Sequence, residues 1–229
     1  MLHIFLRSCP ELHTLALQAD SAGFLLQMAL TGENKLDCGA LRLRTLELVD
    51  WRKYCITPKL ASVLNTLELK RLVLSSMDED FLTTRTEMFW STLSPDAIKL
   101  TELKCHRLTP ALIHFLCSFS GLERLEFGGK FYPTVPPHSG RGEVGAAVHR
   151  DEDLEMKLLR TFFTKVLCTH KTTLRYLAFC PDVALQQLWP SLEYLRKTLR
   201  HTSLSVLHIP IRDPMNDLVC VSSQNSMSC

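Results

Sequence analysis

Long apolar segments are missing from this chain of 229 residues. No run approaches the roughly 18 apolar residues that a helix needs to cross a bilayer, and the apolar stretch from Phe24 to Leu30 is far too short. The amino terminus lacks a basic start, a long apolar stretch and a small-residue cleavage site, which are the marks of a secretory signal. The sequence therefore predicts neither a membrane span nor export.

An excess of charge of either sign is also missing. The chain has 26 lysines and arginines against 24 aspartates and glutamates, which gives a net charge of +2. Because nucleic-acid binding generally requires a basic patch or stripe, this balance predicts that nucleic acid is not the partner.

The nine cysteines include no C-x-x-C pair. Several occupy positions where a core residue is expected, such as Cys105 in a predicted strand and Cys117 in a predicted helix, and a free cysteine packs like a small apolar side chain. An odd, scattered set of this kind predicts reduced cysteines in an intracellular protein, either cytoplasmic or nuclear.

Candidate metal ligands do not complete a site. Cys105 and His106 are adjacent, and His114 and Cys117 have the i, i+3 spacing that would place two ligands on one helix face. No second pair has the spacing of a zinc site. We therefore predict no metal.

Motifs for catalysis or cofactor binding are missing or lack their structural context. The chain has no G-x-S-x-G, and no cysteine has a histidine or asparagine partner at a familiar spacing. Gly140-x-Gly142-x-x-Gly145 matches the dinucleotide fingerprint, but Pro133, Pro136 and Pro137 precede it, so it cannot follow a central strand. The sequence predicts no catalytic residue and no cofactor, and hence a protein that is not an enzyme.

A six-residue pattern, L-x-x-L-x-L, is present seven times. Successive copies begin 31, 26, 31, 22, 52 and 30 residues apart, and repetition at such a period is typical of stacked repeat proteins. The copies are Leu12-Leu15-Leu17, Leu43-Leu46-Leu48, Leu69-Leu72-Leu74, Leu100-Leu103-Cys105, Leu122-Leu125-Phe127, Leu174-Leu177-Phe179 and Leu204-Leu207-Ile209.

Each repeat is predicted to join a short strand to a helix. The last two apolar residues of the motif alternate with other residues, as in a strand with one buried face. Thr57-Pro58 and Thr109-Pro110 each precede apolar residues at helical spacing, and threonine and proline suit the N-cap and the first helical position. Other helices are predicted at Ser21–Leu30, Thr84–Leu93, Asp151–Thr169 and Ser191–Leu199. Alternating strands and helices predict a parallel sheet with right-handed crossovers.

The pattern resembles the leucine-rich-repeat family over roughly Leu12 to Ile209. It is most similar to the irregular, helix-backed repeats of ribonuclease-inhibitor-like proteins and of the leucine-rich F-box proteins common in fungi. The asparagine that the family has three residues after the last motif position is missing, so no asparagine ladder is expected. The residues at that position are Asp20, Trp51, Met77, Leu108, Lys130, Asp182 and Arg212.

The resemblance implies an α/β solenoid with about seven parallel strands on its concave face and helices on its convex face. The repeat domain would span residues 1–211, with an inserted Pro/Gly-rich loop at 128–150, and 212–229 would be a disordered tail. Because the first motif begins at Leu12, we expect no F-box, and we expect Ile4-Phe5-Leu6 to end the helix of a missing unit in a truncated chain. The implied function is a non-enzymatic protein-interaction scaffold, related to substrate recognition by F-box ubiquitin-ligase adaptors.

The residues between the buried leucines would face a partner protein across the concave face. One column of neighbours is predicted as Thr14, Thr45, Arg71, Glu102, Arg124, Tyr176 and Val206, and a second as Ala16, Glu47, Val73, Lys104, Glu126, Ala178 and His208. Tyr176 is the leading candidate, since tyrosine is a favoured interface anchor. The alternative is that the charges neutralise one another and only keep the sheet soluble. The predicted partner-binding residues are Arg71, Glu102, Lys104, Arg124, Glu126, Tyr176, Val206 and His208.

Two other hypotheses stay open. A regulatory or catalytic site could be built on the loop at 128–150, since long loops in compact domains are often functional, although its composition favours disorder. Phe131 and Tyr132 at its root could contact a partner or the sheet edge. The chain could also be a degenerate gene fragment without an independent role, because neither end has a polar capping unit.

Overall fold

A computed structural model describes most of the repeat region. The described residues are 2–19, 22–31, 41–50, 56–76, 83–106, 108–128, 157–179, 199–200, 202–208, 210–212 and 218–220. Most of the predicted loop (129–150) and most of the predicted helix at Ser191–Leu199 lie outside these residues.

The molecule has an α/β fold with a sheet of seven parallel strands. The strands lie in the sheet in the same order as in the sequence, each pairing with the next. Their bounds are β1 Thr14–Ala19, β2 Thr45–Asp50, β3 Arg71–Ser76, β4 Glu102–Cys105, β5 Arg124–Phe127, β6 Tyr176–Phe179 and β7 Val206–His208. Every strand begins two residues after the first leucine of a motif, so all seven predicted strands are confirmed.

Helices precede and connect the strands, and each packs against the next helix along the chain. Their bounds are α1 Leu2–Ser8, α2 Ala22–Thr31, α3 Pro58–Leu64, α4 Thr83–Thr92, α5 Pro110–Cys117 and α6, the helical residues 157–169, with a π-helical turn at Phe162–Val166. No helix in the described ranges is long and apolar enough to span a membrane.

The motif's leucines form the core between the sheet and the helices. In β2, for example, Leu46 and Leu48 are buried, and Leu43, just before the strand, is buried as well. The last motif position is aromatic in β5 and β6, where Phe127 and Phe179 stack with their ring centroids 5.3 Å apart. In β4 and β5, buried residues alternate with more exposed ones, so the sheet has one face that packs on the helices and a second face that is polar.

The two Thr-Pro pairs begin helices as predicted. Thr57 and Thr109 have extended backbones, and their hydroxyl oxygens accept hydrogen bonds from the backbone N–H groups of Leu60 (3.1 Å) and Leu112 (3.2 Å). Each hydroxyl satisfies a donor that the first turn of a helix would otherwise leave unpaired.

We expect Thr109→Ala to lower the free energy of unfolding by about 1–2 kcal/mol, because the side chain is buried and the Leu112 N–H would lose its acceptor. Urea denaturation would measure the loss. Ser62→Ala is the matched control, since Ser62 is exposed within α3 and alanine favours a helix. An equal loss in both variants would contradict the capping role.

Hydrogen bonds from side chains to the backbone tie neighbouring repeats together, although the asparagine ladder is missing. Asn65, which caps the end of α3, bonds twice to the end of α4: its Nδ2 donates to the carbonyl of Thr92 and its Oδ1 accepts from the N–H of Ser94, both at 2.9 Å. At the start of α5, the carboxylate of Glu87 in α4 accepts from the N–H of Ala111 at 2.9 Å.

His170 makes the corresponding tie between α6 and α5. Its ring is fully buried, its Nδ1 accepts from the N–H of Leu122 (3.3 Å), and its Nε2 lies 2.8 Å from the carbonyl oxygen of Leu116. Because the Leu122 N–H can only donate, the ring proton is assigned to Nε2, which then donates to Leu116. Burial lowers the pKa of His170 below its ordinary value, and the hydrogen bond to Leu116 offsets this only in part. The imidazole is therefore a neutral structural group.

Beyond β7, the chain forms a separate two-stranded antiparallel sheet. Strand β8, Pro210–Arg212, pairs with β9, Leu218–Cys220. The segment predicted to be a disordered tail, 212–229, thus contains the strand β9, and its remaining residues after Arg212 lie outside the described residues.

Candidate interaction face

The face of the sheet turned away from the core carries the residues between the motif's leucines, and we call it the polar face. The strand registers place these residues in two rows across the sheet, which are the two predicted columns. The first row consists of Thr14, Thr45, Arg71, Glu102, Arg124, Tyr176 and Val206, and the second of Ala16, Glu47, Val73, Lys104, Glu126, Ala178 and His208. Both predicted columns are confirmed. Neighbours in a row are separated by one strand spacing, about 4.8 Å.

Most side chains of the polar face are exposed or half-buried. Val73 and Ala178 are the exceptions in the two rows, with 8% and 6% exposure. Val73 is shorter than its register partners Glu47 and Lys104, which accounts for its burial. The polar face is therefore accessible along its length, and its charged residues form its outermost layer.

Arg71 is the centre of the first charged group. Its guanidinium contacts the carboxylates of Glu47 on β2 (2.9 Å) and of Glu102 on β4 (3.3 Å), and the arginine side chain is 44% exposed. The spacing of the motifs predicts that Arg71 and Glu102 lie together, whereas Glu47 is not among the predicted binding residues. Its pairing with Arg71 follows from the diagonal contact between adjacent strands, which register alone does not indicate.

Glu126 is the centre of the second charged group. Its carboxylate accepts a hydrogen bond from the ammonium of Lys104 in the same row, and its other oxygen lies 3.4 Å from the guanidinium of Arg124. Burial raises the pKa of Glu126, but the hydrogen bonds and positive charges of Lys104 and Arg124 outweigh this effect and leave the pKa below its ordinary value. The carboxylate is therefore ionised at neutral pH.

A stack of side chains extends the second group toward β7. The guanidinium carbon of Arg124 lies 3.8 Å from the centroid of the Tyr176 ring, and that ring lies 5.5 Å from the imidazole of His208. Three adjacent strands thus present an arginine, a tyrosine and a histidine side by side. Val206 completes this end of the face as the register partner of Tyr176.

The charges in the two rows of the polar face balance. Three basic residues, Arg71, Lys104 and Arg124, lie among three acidic ones, Glu47, Glu102 and Glu126. Ion pairs with this much exposure contribute roughly 0–1 kcal/mol each to stability. The pairing fits the alternative that the charges neutralise one another, but that alternative does not account for the Arg124–Tyr176–His208 stack.

Candidate metal ligands and thiols can be placed among the described residues. In the described ranges, no group of three or more histidine, cysteine, aspartate or glutamate side chains is arranged to hold a metal. Cys105 is buried, and burial raises the pKa of the half-buried Cys117, which keeps its thiol protonated. His114 is exposed on the same helix.

Comparison with protein-family models gives no match, and comparison with curated proteins and with solved structures gives no significant match.

Proposed function

We propose that this protein is a non-enzymatic interaction scaffold of the leucine-rich-repeat type, and that it binds a partner protein on the polar face. In this proposal the seven strands form the concave face of a solenoid, and the helices form its convex face. The predicted residues Arg71, Glu102, Lys104, Arg124, Glu126, Tyr176, Val206 and His208 contribute to one continuous binding surface.

The observation that carries the proposal is an all-parallel sheet with an accessible face. Parallel sheets almost always have both faces covered and read as near-continuous apolar strands. Here β4 and β5 alternate between buried and more exposed residues, and the side chains of the polar face include exposed arginines and a half-buried tyrosine. Such a sheet places polar groups at regular intervals on a rigid support, which suits recognition of another protein.

Most of the binding energy is assigned to the end of the face at β5, β6 and β7. Tyrosine and arginine are the residues most enriched in the energetic centres of interfaces. The stacking of Arg124 on Tyr176 holds both side chains in place before binding, so less conformational entropy is lost when a partner docks. Ala178, two residues after Tyr176, lies between its register partners Glu126 and His208.

The balanced charges define the partner's chemistry. A surface with three positive and three negative side chains attracts neither polyanions nor polycations, and it matches a protein surface with interspersed charges of both signs. A link to ubiquitin ligation follows from the resemblance to F-box proteins, in which case the bound partner would be a substrate protein.

The test is quantitative capture of partners by immobilised protein, comparing wild type with Tyr176→Ala and Arg124→Glu. We expect proteins that bind the polar face to be depleted at least about 10-fold by either substitution, the loss typical of an energetic centre. Tyr176→Phe keeps the ring under Arg124 and is expected to retain most of the binding. Arg160→Glu is the matched control for charge reversal, because Arg160 is exposed on α6 in the helix layer.

Circular dichroism would first establish that each variant is folded. If Tyr176→Ala and Arg124→Glu retain every specific partner, the polar face is not the binding surface. If Arg160→Glu loses the same partners as Arg124→Glu, binding depends on overall charge and the assignment to this face is wrong.

A further inference from the structure

Apolar side chains are exposed on α1 and α2, two helices that contact each other at the end of the molecule opposite β7. Five of the six large apolar side chains that are exposed in the described part of the chain lie on these two helices. They are Ile4 (59% exposed), Phe5 (50%), Phe24 (46%), Leu25 (48%) and Met28 (50%), and we call them the apolar patch.

The composition of α2 explains why it is apolar on its outer side as well as its inner side. Its sequence, AGFLLQMALT, has no charged residue. Leu26, Ala29 and Leu30 pack into the core, while Phe24, Leu25 and Met28 lie on the outer face at i, i+1 and i+4. A surface helix normally has charged or polar residues on its outer face, and a helix that is apolar all round is normally buried. The outer face of α2 therefore has the composition of an interface.

The size of the apolar patch suits a dimer. A large side chain that is half exposed presents about 100 Å², so the five residues together present roughly 500 Å², the size of the largest apolar patch on a typical monomer, which is often functional. Two such patches in contact would bury about 1,000 Å² of apolar surface. With a polar rim, the total reaches the roughly 1,200–2,000 Å² of a stable interface.

We propose that a second copy of this chain covers the apolar patch, in a dimer whose two-fold axis passes near Met28. A two-fold contact places the same surface on itself, so it is favoured where the surface lacks charges that would repel their own copies. The α2 face meets this condition, and the polar face of the sheet stays free in the dimer. This proposal is independent of which partner the polar face binds.

Sedimentation equilibrium of the full chain over a range of concentrations is the test, with the variants Met28→Glu and Met28→Lys. The wild type is expected to reach the mass of a dimer. Each variant alone is expected to associate at least about 10-fold more weakly, because the substitution places like charges opposite each other. An equimolar mixture of the two variants is expected to recover association, since opposite charges then meet, and this recovery cannot occur if the variants are unfolded.

Met88→Glu is the matched control, because Met88 is 52% exposed but lies on α4; it is expected to dimerise like the wild type. A wild-type chain that stays monomeric at every concentration would overturn the proposal. So would a dimer that both Met28 variants leave unchanged, or a mixture that fails to associate. Flotation with neutral phosphatidylcholine vesicles is a second experiment. If the monomer binds the vesicles and a Met28 variant does not, the apolar patch contacts lipid and the proposal is wrong.

Discussion

Phe127→Ala is expected to lower the free energy of unfolding by about 3–5 kcal/mol, the cost of removing a fully buried aromatic ring without filling the space. The ring is 0% exposed, stacks on Phe179, and meets Phe162 edge-on with ring centroids 5.5 Å apart. Because these three rings join β5, β6 and α6, the cavity would lie where three elements meet and could not close by a small shift of one. Urea denaturation followed by circular dichroism would measure the loss.

Phe127→Leu is the matched variant. It puts the motif's usual residue at this position and keeps most of the buried apolar volume, so we expect a loss of about 1–2 kcal/mol. If alanine and leucine cost the same, the volume that leucine retains does not reduce the loss, and the explanation by an unfilled cavity is wrong.

His170→Ala is expected to cost about 3 kcal/mol, since it opens a cavity and leaves the carbonyl of Leu116 and the N–H of Leu122 buried without their partner. His114→Ala on the exposed side of α5 is the control and is expected to change stability by less than about 0.5 kcal/mol. A small effect of both would show that the side-chain tie between α6 and α5 adds little to stability.

The same histidine predicts a pH dependence of stability. Its pKa is lowered in the folded chain, so at acidic pH the unfolded chain binds a proton more readily than the folded one. The neutral ring therefore makes its full contribution to the free energy of unfolding at pH values above its ordinary pKa of 6.5. This contribution is lost as the pH falls from 6.5 toward the pKa of the folded state. We expect the urea midpoint of the wild type to decrease as the pH is lowered from about 7.5 to 5.5. In His170→Ala this part of the slope should be missing, and an identical slope in the two proteins would refute the assignment.

The sequence is sufficient to predict the sheet because each motif encodes its strand locally. In L-x-x-L-x-L, the position of the leucines determines which residues face the helices, and pairing equivalent positions of successive motifs predicts the register. For this reason the spacing of the motifs alone predicts the row that contains Arg71, Glu102 and Arg124. The Thr-Pro pairs at the starts of α3 and α5 are local signals of the same kind.

The ties between repeats cannot be predicted from the same pattern. Asn65 and His170 both lie four residues before a motif, at Leu69 and Leu174, yet the equivalent residues elsewhere include Ser8, Gly39 and Asp96. Their partners are backbone groups of neighbouring units, and Asn65 bonds to the following unit whereas His170 bonds to the preceding one. The only sequence signal is that both side chains can donate and accept at once.

Within the polar face, the sequence predicts which residues are neighbours but not how their side chains pair. Arg124 could have contacted Glu102 in its own row, yet its guanidinium lies over Tyr176 and near Glu126. Such choices depend on rotamers and on diagonal contacts between strands, which the spacing of the motif does not encode.

The order of the strands in the sheet is also the order in which a ribosome makes them. Each strand from β1 to β7 pairs only with strands of the repeats just before and just after it. Strand β2 can therefore pair with β1 as soon as residue 50 has emerged from the ribosome. At a synthesis rate of roughly 5–20 residues per second, each new repeat becomes available within a few seconds of the last. The sheet can therefore grow from one edge during translation, and the newest strand and β1 are then its two edge strands.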